Sequence, residues 1–483
     1  MFAKLFRKKD LVQNNNSKLH RCLSAFDLTL LGIGCIIGTG IFVLTGIVAA
    51  NQAGPAIILS FLISGCVCAF AALSYAELSS SIGGCGSAYG YSYVAFGEFV
   101  AWIIGWILLL EYGVAIAAVA NGWSGYFNNA LIAMNIGLPE YLINPPIFKF
   151  SNILLWKWQL SFPTGILRES INIPASFIIL MIMGLLIVGV KQSVKFNTIM
   201  VFLKISAITI FILIGVFHVN LDNWSPFIPY GWFETLPSGK TVGVLAGASI
   251  VFFAYIGFDA VSTAAEEAIN PKKDLPVGII SSLIFCTIIY IIVSALLTGI
   301  IPYSELNVSS PVAFALQEIG FKGASALVAT GVIAGLTTVI LVLYFALTRI
   351  IFAISRDGLL PPLLCSVNNK TKTPIKVIVM CGIIISLIAG LVPLGTLAEI
   401  VNIGTLTAFI FVCLGVIFLR KKHAHDPMVF RNKYHPLVPL LGIISCSFLV
   451  AFLPKDTWIR FSIWIVIGIF FYFIYSYKHS KLN

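Results

Sequence analysis

The acidic and basic side chains that stand deep inside long apolar stretches of this 483-residue sequence include Glu111, Lys204 and Asp259. A charged group in such surroundings is costly, so it is retained mainly where it binds a ligand, an ion or a proton. Lys204 lies roughly nine residues into its stretch, about 12 Å from the start of a helix that rises 1.5 Å per residue. A lysine that merely extends to the surface covers only part of that distance. We therefore favour a functional role for Lys204.

The two carboxyl groups leave more than one interpretation open. Glu111 stands in Leu110-Glu111-Tyr112, where it lines a binding site, joins a structural pair or stays protonated and neutral. Asp259 comes two residues after Gly257, at a point where a helix is expected to break, and a binding role is favoured there. The candidate chemistry is therefore the binding of ligands and protons.

The other reactive residue types add little chemistry. The ten cysteines fall in apolar stretches and at their ends, and none occurs in the segments that we place outside, so a disulfide framework is not expected. Cys66 and Cys68 are two residues apart and point to different sides of a helix, which argues against a metal pair. No nucleophile with a base is evident. The sequence predicts no enzyme, no metal site and no cofactor.

The composition places these residues in a membrane. Hydrophobic residues make up 59% of the chain and charged residues 10%, whereas a soluble domain carries about a quarter of its residues as Asp, Glu, Lys and Arg. Apolar runs of about 20 residues, the length that crosses a bilayer core, recur along the chain. Runs of that length predict helices rather than barrel strands. The predicted fold is an all-α membrane protein with twelve transmembrane spans, at 26–50, 55–78, 95–127, 174–190, 196–218, 241–268, 277–301, 322–353, 375–393, 397–419, 437–454 and 458–477.

The distribution of positive charge predicts the orientation. With the N-terminus in the cytoplasm, Lys and Arg are about three times as numerous in the cytoplasmic segments as in the outer ones, which is the positive-inside pattern. Both termini, 1–25 and 478–483, are then cytoplasmic, and the long segment 128–173 lies outside, with no chemistry that we can assign to it. The net charge of +11 is explained by this pattern, so nucleic-acid binding is not predicted.

Span 1 carries a glycine-rich stretch. Gly32, Gly34, Gly38 and Gly40 occur within nine residues, and each costs about 1 kcal/mol against Ala inside a helix. One interpretation is close helix packing, since small residues line membrane helix interfaces. The other is an unwound segment around Gly38-Thr39-Gly40, whose free N–H groups and following half-helix would seat an anion.

Span 6 carries a matching interruption at 252–259 (FFAYIGFD), where Gly257 precedes Asp259. The two interruptions are five spans apart, and because five is odd, the second set of spans enters the membrane from the opposite side. Spans 1–5 and 6–10 would then form an inverted repeat with a binding site near the midplane. Channels also bury polar residues, but paired broken helices favour alternating access.

With these residues in view, the chain resembles the amino acid–polyamine–organocation (APC) superfamily, and within it the bacterial relatives of cationic amino acid transporters. The resemblance runs in order across spans 1–10, and spans 11 and 12 fit the usual twelve-helix form. It is carried by four stretches, 32–46 (GIGCIIGTGIFVLTG), 75–98 (YAELSSSIGGCGSAYGYSYVAFGE), 252–267 (FFAYIGFDAVSTAAEE) and 349–361 (RIIFAISRDGLLP).

The resemblance implies a LeuT-like 5+5 inverted repeat in which helices 1 and 6 are discontinuous. It further implies that the α-carboxylate of an amino acid meets backbone N–H groups and a hydroxyl in span 1, and that its α-ammonium meets carbonyl groups in span 6, with Phe253 as a lid. These expectations agree with the helix dipole, since N-terminal ends suit anions and C-terminal carbonyls suit cations. The implied residues are Ile37, Thr39 and Gly40 in span 1 and Phe253, Ala254 and Tyr255 in span 6.

The same resemblance implies a coupling role for Lys204. In proton-driven members, a lysine of span 5 takes the place of a sodium ion and contacts spans 1 and 8, here near Thr337 and Thr338. A buried ammonium can exchange its proton, so the expected coupling ion is H⁺.

The sequence thus predicts an importer of cationic or small neutral L-amino acids that works by proton symport in the cell membrane. Its units are the first repeat, 26–218, the second repeat, 241–419, and two further helices in 437–477. The alternatives are an exchanger of amino acids or polyamines without net proton use and, from other classes, a membrane enzyme or a channel. The expected partners are the substrate and the lipid bilayer, and a small single-span partner stays an open question.

Overall fold

The computed structural model describes most of the chain, and helices dominate it. The predicted N-terminal tail, 1–25, lies outside the described residues apart from 7–8 and 23–25, and the predicted C-terminal tail is described as far as residue 481. The described residues are 7–8, 23–82, 87–133, 135–155, 158–168, 170–188, 194–236, 241–265, 268–368, 373–422 and 430–481.

The first half of the chain contains eight helices and one hairpin among the described residues. The second helix is made of three consecutive segments, of which the outer two are π-helical. The helices are α1 (Ala25–Ile36), α2 (Gly40–Leu44, Thr45–Val48 and Ala49–Ala53), α3 (Ile57–Ile82), α4 (Ser87–Ala95), α5 (Glu98–Ala133), α6 (Glu140–Ile143), α7 (Ile173–Val188) and α8 (Val194–Gly215), and the strands are β1 (Ile147–Leu155) and β2 (Trp158–Arg168).

The second half begins with a two-residue strand pair and continues with helices. Short 3-10 turns join several of them. The strands are β3 (Glu234–Thr235) and β4 (Thr241–Val242), and the helices are α9 (Val244–Val251), α10 (Pro271–Ile300), α11 (Pro311–Glu318), α12 (Lys322–Arg356), α13 (Ile375–Leu391), α14 (Leu394–Lys422), α15 (Leu437–Ala451), α16 (Lys455–Phe471) and, after a π-helical turn at Tyr472–Ser476, α17 (Tyr477–His479).

Each predicted apolar span overlaps an α-helix among the described residues, although 241–268 also contains β4 and 3-10 segments. Within the described chain, eight helical stretches are long and apolar enough to cross a membrane, and α1, α7, α13 and α15 are shorter apolar helices. Large apolar side chains cover the exterior, among them Phe217, Val188 and Ile474, which are 83%, 75% and 69% exposed. Such a surface suits contact with lipid tails.

The structure contains both predicted helix breaks. Helix α1 ends at Ile36, and a helix resumes at Gly40 after the non-helical Ile37. Helix α9 ends at Val251, and the chain continues through the 3-10 segments Phe252–Tyr255 and Asp259–Ala264. The second break therefore begins at Phe252, as predicted, and extends to Ala264, beyond the predicted end at Asp259. Gly257 has φ +119°, a conformation that side chains other than glycine rarely adopt.

The segment 128–173 contains more regular structure than the sequence indicated. Strands β1 and β2 form an antiparallel hairpin in which Leu155 pairs with Trp158. This hairpin was not predicted because its alternation of polar and apolar residues is weak beside the long apolar helices.

Candidate functional site

The two helix breaks touch each other. A Cβ atom built on Gly40 would lie 2.3 Å from the Cα atom of Ala254 and 2.4 Å from its Cβ atom. Only a glycine allows this approach, because real Cβ contacts are never so short. The structure thus brings together two parts of the chain that lie more than two hundred residues apart, and both belong to the predicted site.

Tyr290 of α10 links the two breaks through its hydroxyl group. The Tyr290 Oη atom lies 2.8 Å from the carbonyl oxygen of Ile36 and 2.8 Å from that of Ala254. A phenol carries a single proton, so it can donate to only one of the two carbonyl groups at a time. The other carbonyl then keeps full capacity to accept a hydrogen bond from a ligand.

Lys204 of α8 caps the carbonyl end of α1. Its ammonium group donates to the carbonyl oxygens of Gly34, at 2.7 Å, and Ile37, at 3.1 Å, and the side chain is fully buried. The last carbonyl groups of a helix lack partners within it, and the negative end of the helix dipole favours a cation. Lys204 therefore lies at the first break, in contact with span 1 as the resemblance implied.

Lys204 contacts α12 through Gly335. A Cβ atom on Gly335 would lie 2.5 Å from Cγ of Lys204, so the aliphatic stem packs against this glycine. The hydroxyl group of Thr338 donates to the Gly335 carbonyl at 2.7 Å. That of Thr337 donates to the Ile333 carbonyl at 2.8 Å and accepts from Trp123 Nε1 at 2.9 Å. The expected contact with span 8 near these two threonines is therefore made through Gly335, and the two hydroxyl groups bond other partners.

Ile37 and Thr39 lie on different sides of the first break. The N–H group of Ile37 donates to the Ile33 carbonyl at 3.0 Å and closes the last turn of α1, so it is not free to seat a carboxylate as the resemblance implied. Thr39 packs against α5, where its hydroxyl group lies 3.4 Å from the Val119 carbonyl. The N–H groups at the start of α2, near Thr39 and Gly40, have no partner within their own helix.

Asp259 is bonded at both carboxylate oxygens. Oδ2 accepts a hydrogen bond from the Tyr112 hydroxyl at 2.9 Å, and Oδ1 accepts one from the Gly257 N–H at 3.3 Å. The side chain is 1% exposed. Asp259 therefore ties the second break to α5 and stabilises its turn.

Glu111 is buried one residue before Tyr112 on α5. Its Oε2 atom has no hydrogen-bond partner among the described residues, and its side chain lies beside Gly404 of α14. A carboxyl oxygen that is buried without a partner is costly, which marks Glu111 as a position for a proton, a water molecule or a ligand.

The three residues of the second break that the resemblance implied as site residues have different neighbours. Phe253 is 6% exposed, and its carbonyl accepts from the Ile256 N–H at 3.3 Å. Tyr255 directs its hydroxyl group to the Phe61 carbonyl of α3 at 2.8 Å. Ala254 contacts Gly40 and Tyr290, so it lies nearest the point where the two breaks meet.

Sequence reasoning missed four residues that shape this site: Tyr112, Tyr290, Gly335 and Asn402. Asn402 of α14 donates to the carbonyl groups of Ser249, at 2.7 Å, and Ile250, at 3.1 Å, in the last turn of α9. A single Tyr or Asn in an apolar helix carries no periodic signal, so only the fold identifies its partner.

An apolar helical bundle with two broken helices in contact around a buried cation defines a membrane transporter. The chain matches the amino acid permease family over residues 23–474. It is 48% identical to the methylthioribose transporter of Bacillus subtilis and 45% identical to the branched-chain amino acid permease BcaP of the same organism, each over the full length of both chains. It is 36% identical to mouse cationic amino acid transporter 4 over 88% of this chain and 64% of the mouse protein.

The chain therefore belongs to the amino acid permease family of the APC superfamily. It is a multi-pass membrane transporter of the amino acid permease type and not an enzyme.

Proposed function

We propose that this protein is a secondary active transporter that imports L-amino acids by proton symport across a bacterial cell membrane. In this proposal the chain crosses the membrane twelve times with both termini in the cytoplasm, and α1–α8 and α9–α14 form an inverted repeat. The proposal rests on the contact between the two helix breaks at Gly40 and Ala254. This contact places the N-terminal end of one half-helix beside the C-terminal end of the other.

The pairing of the long helices supports the inverted repeat. The spans that would be related by the repeat pack against each other: α3 against α10, α5 against α12, and α7 against α13. Such neighbours surround a two-fold axis in the membrane plane. Helix α10 also packs along α1, whereas α12 packs along α8. Two groups of helices that rock against each other around the breaks would give alternating access.

The polarity of the breaks supports a seat for an amino acid backbone. The substrate carboxylate would accept hydrogen bonds from the N–H groups of Thr39 and Gly40 and from the Thr39 hydroxyl, at the positive end of α2. The α-ammonium would donate to the carbonyl groups at the second break, first of all to that of Ala254, which shares the single proton of Tyr290. Phe253 would close over the substrate.

The surroundings of Asp259 favour a neutral side chain as the substrate class. Both of its carboxylate oxygens are bonded within the protein, so neither is left free for a cationic side chain. The full-length relative named for branched-chain amino acids supports this choice. Methylthioribose is the second candidate substrate, since the 48% identical relative is named for it.

Uptake into proteoliposomes tests the proposal. Purified protein should concentrate leucine, isoleucine or valine when the outside is made acidic, and replacing Na⁺ by choline should leave the rate unchanged. Uptake of methylthioribose in the same assay would select the second candidate. Leucine accumulation that needs Na⁺, or exchange without accumulation on the pH gradient, would contradict proton symport.

Asp259→Asn should lower the uptake of all amino acids uniformly, by about tenfold, since weakening the bonds that shape the second break costs roughly 1–3 kcal/mol. The measurement is initial uptake of leucine, alanine, lysine and arginine by the same preparation. Asp222→Asn, which changes an exposed acid in the 3-10 turn Leu221–Trp224, is the matched control and should retain wild-type rates.

A loss of uptake that is limited to cationic amino acids would change the role assigned to Asp259. If Asp259→Asn removes only lysine and arginine uptake, then Asp259 binds the cationic side chain of the substrate. The same panel on Glu111→Gln examines the second carboxyl group, whose Oε2 atom lacks a partner among the described residues.

A further inference from the structure

A cavity of about 360 Å³ opens at the start of α10, far from the two breaks along the helix. Its wall combines two cationic side chains with an apolar surface. The residues that matter here are Lys272, Lys273, Pro276, Val277, Ile280 and Phe430. Phe430 comes from the segment before α15, so the cavity joins two distant parts of the chain.

The two lysines form the polar end of the cavity. Both are exposed and stand in the first turn of α10. The acid nearest to them in the chain, Asp274, already accepts a hydrogen bond from the Asn270 N–H at 2.9 Å. Two adjacent ammonium groups at the end of a helix that crosses a bilayer attract an anionic group at the level of the lipid headgroups.

The apolar wall continues down the helix as a stripe. Val277, Ile284 and Ile288 are 43%, 56% and 53% exposed, and their spacing of seven and four residues places them on one face. At 1.5 Å per residue, Val277 lies about 7 Å and Ile288 about 24 Å beyond Lys272 along the axis. This stripe has the length and the polarity of a track for an acyl chain.

From this arrangement we infer that the cavity binds an anionic phospholipid, with the phosphate near Lys272 and Lys273 and an acyl chain along Val277 and Ile284. A free phosphate would use the lysines but would leave the apolar wall uncovered, so the lipid is the occupant that fits both parts. With the orientation proposed above, the lipid belongs to the cytoplasmic leaflet. The site lies on α10, which packs against α1 where Gly278 meets Leu28, and it is independent of the transported substrate.

The test measures thermal stabilisation of the full chain in a nonionic detergent on addition of phosphatidylglycerol, phosphatidylcholine or glycerol phosphate. Phosphatidylglycerol should raise the melting temperature, and the other two should not. In the double variant Lys272→Gln/Lys273→Gln, the phosphatidylglycerol concentration that gives half of the maximal rise in melting temperature should increase at least about fivefold, because both charges attract the headgroup.

Two further variants make the result decisive. Lys322→Gln/Lys455→Gln removes the same charge from the first residues of α12 and α16 and should behave like wild type. Val277→Asn keeps both lysines but interrupts the apolar stripe along which the acyl chain would lie. This variant should therefore also be stabilised less by phosphatidylglycerol. Equal stabilisation of wild type and the Lys272→Gln/Lys273→Gln variant would overturn the inference. Equal stabilisation by glycerol phosphate, or an equal loss in the Lys322→Gln/Lys455→Gln control, would overturn it as well.

Discussion

Gly40→Ala should reduce substrate uptake by about tenfold to a hundredfold, since forcing an extra methyl group into a packed site costs roughly 1–3 kcal/mol. The added Cβ atom would lie 2.3 Å from the Cα atom of Ala254, and this contact is with backbone, which cannot rotate away. The methyl group must therefore push the two helix breaks apart. Uptake of leucine into proteoliposomes, normalised to the amount of inserted protein, measures the loss.

Gly184→Ala is the matched control for that substitution. It adds the same methyl group to α7, where a Cβ atom at Gly184 would meet nothing within 4 Å. This variant should transport like wild type and gain slightly in helix stability. Wild-type uptake by a well-inserted Gly40→Ala protein would show that the two breaks need not touch.

Lys204→Ala should remove the dependence of uptake on the pH gradient. The ammonium group holds the carbonyl oxygens of Gly34 and Ile37 at the end of α1, and loss of its proton would release them. Because the lysine both bridges α1 to α8 and carries a proton, removing it should separate substrate movement from proton movement. We expect slow exchange to persist while concentration of substrate on an imposed gradient falls by at least about tenfold.

Lys204→Met separates the charge from the packing. Methionine keeps an aliphatic stem beside Gly335 but has no ammonium group, whereas alanine loses both and also leaves a cavity. The two variants should share the loss of gradient-driven uptake, and Lys204→Met should show the smaller fall in melting temperature. If Lys204→Met still concentrates substrate on the gradient, the lysine serves only as a cap for α1.

The helices and their breaks could be predicted because each depends on a local signal. Apolar runs long enough to cross a bilayer identified the helices, and clustered glycines identified the first break. Lys204 stood out because a lysine deep in an apolar run has few alternatives to a partner inside the protein. Its partners on α1 are the carbonyl groups that the break leaves free.

What could not be predicted depends on contacts between distant elements. Tyr290 is one of 16 tyrosines, and nothing near it in the chain indicates that its hydroxyl group joins the two breaks. The sequence indicated a contact of Lys204 near Thr337 and Thr338, but not that Gly335 makes it, because the choice between neighbouring residues depends on the rotation of α12 about its axis.

The exact end of α1 decided the role of Ile37. A shift of one residue determines whether an N–H group closes the helix or faces a ligand, and helix ends are the least certain feature of a sequence-based prediction. The N–H group of Ile37 closes the last turn, and its carbonyl serves Lys204. In the proposed function, the seat for a carboxylate would therefore begin at Thr39 rather than at Ile37.

The central claim is tested most directly by measuring whether protons enter the liposome together with the substrate. Wild-type protein is placed in Na⁺-free liposomes that contain a pH-sensitive dye, at equal pH on both sides and with the inside made electrically negative. Addition of leucine outside should acidify the interior at a rate proportional to leucine uptake, and the Lys204→Met variant should give no acidification. Leucine uptake by the wild type without acidification, or equal acidification by the variant, would contradict proton symport through Lys204.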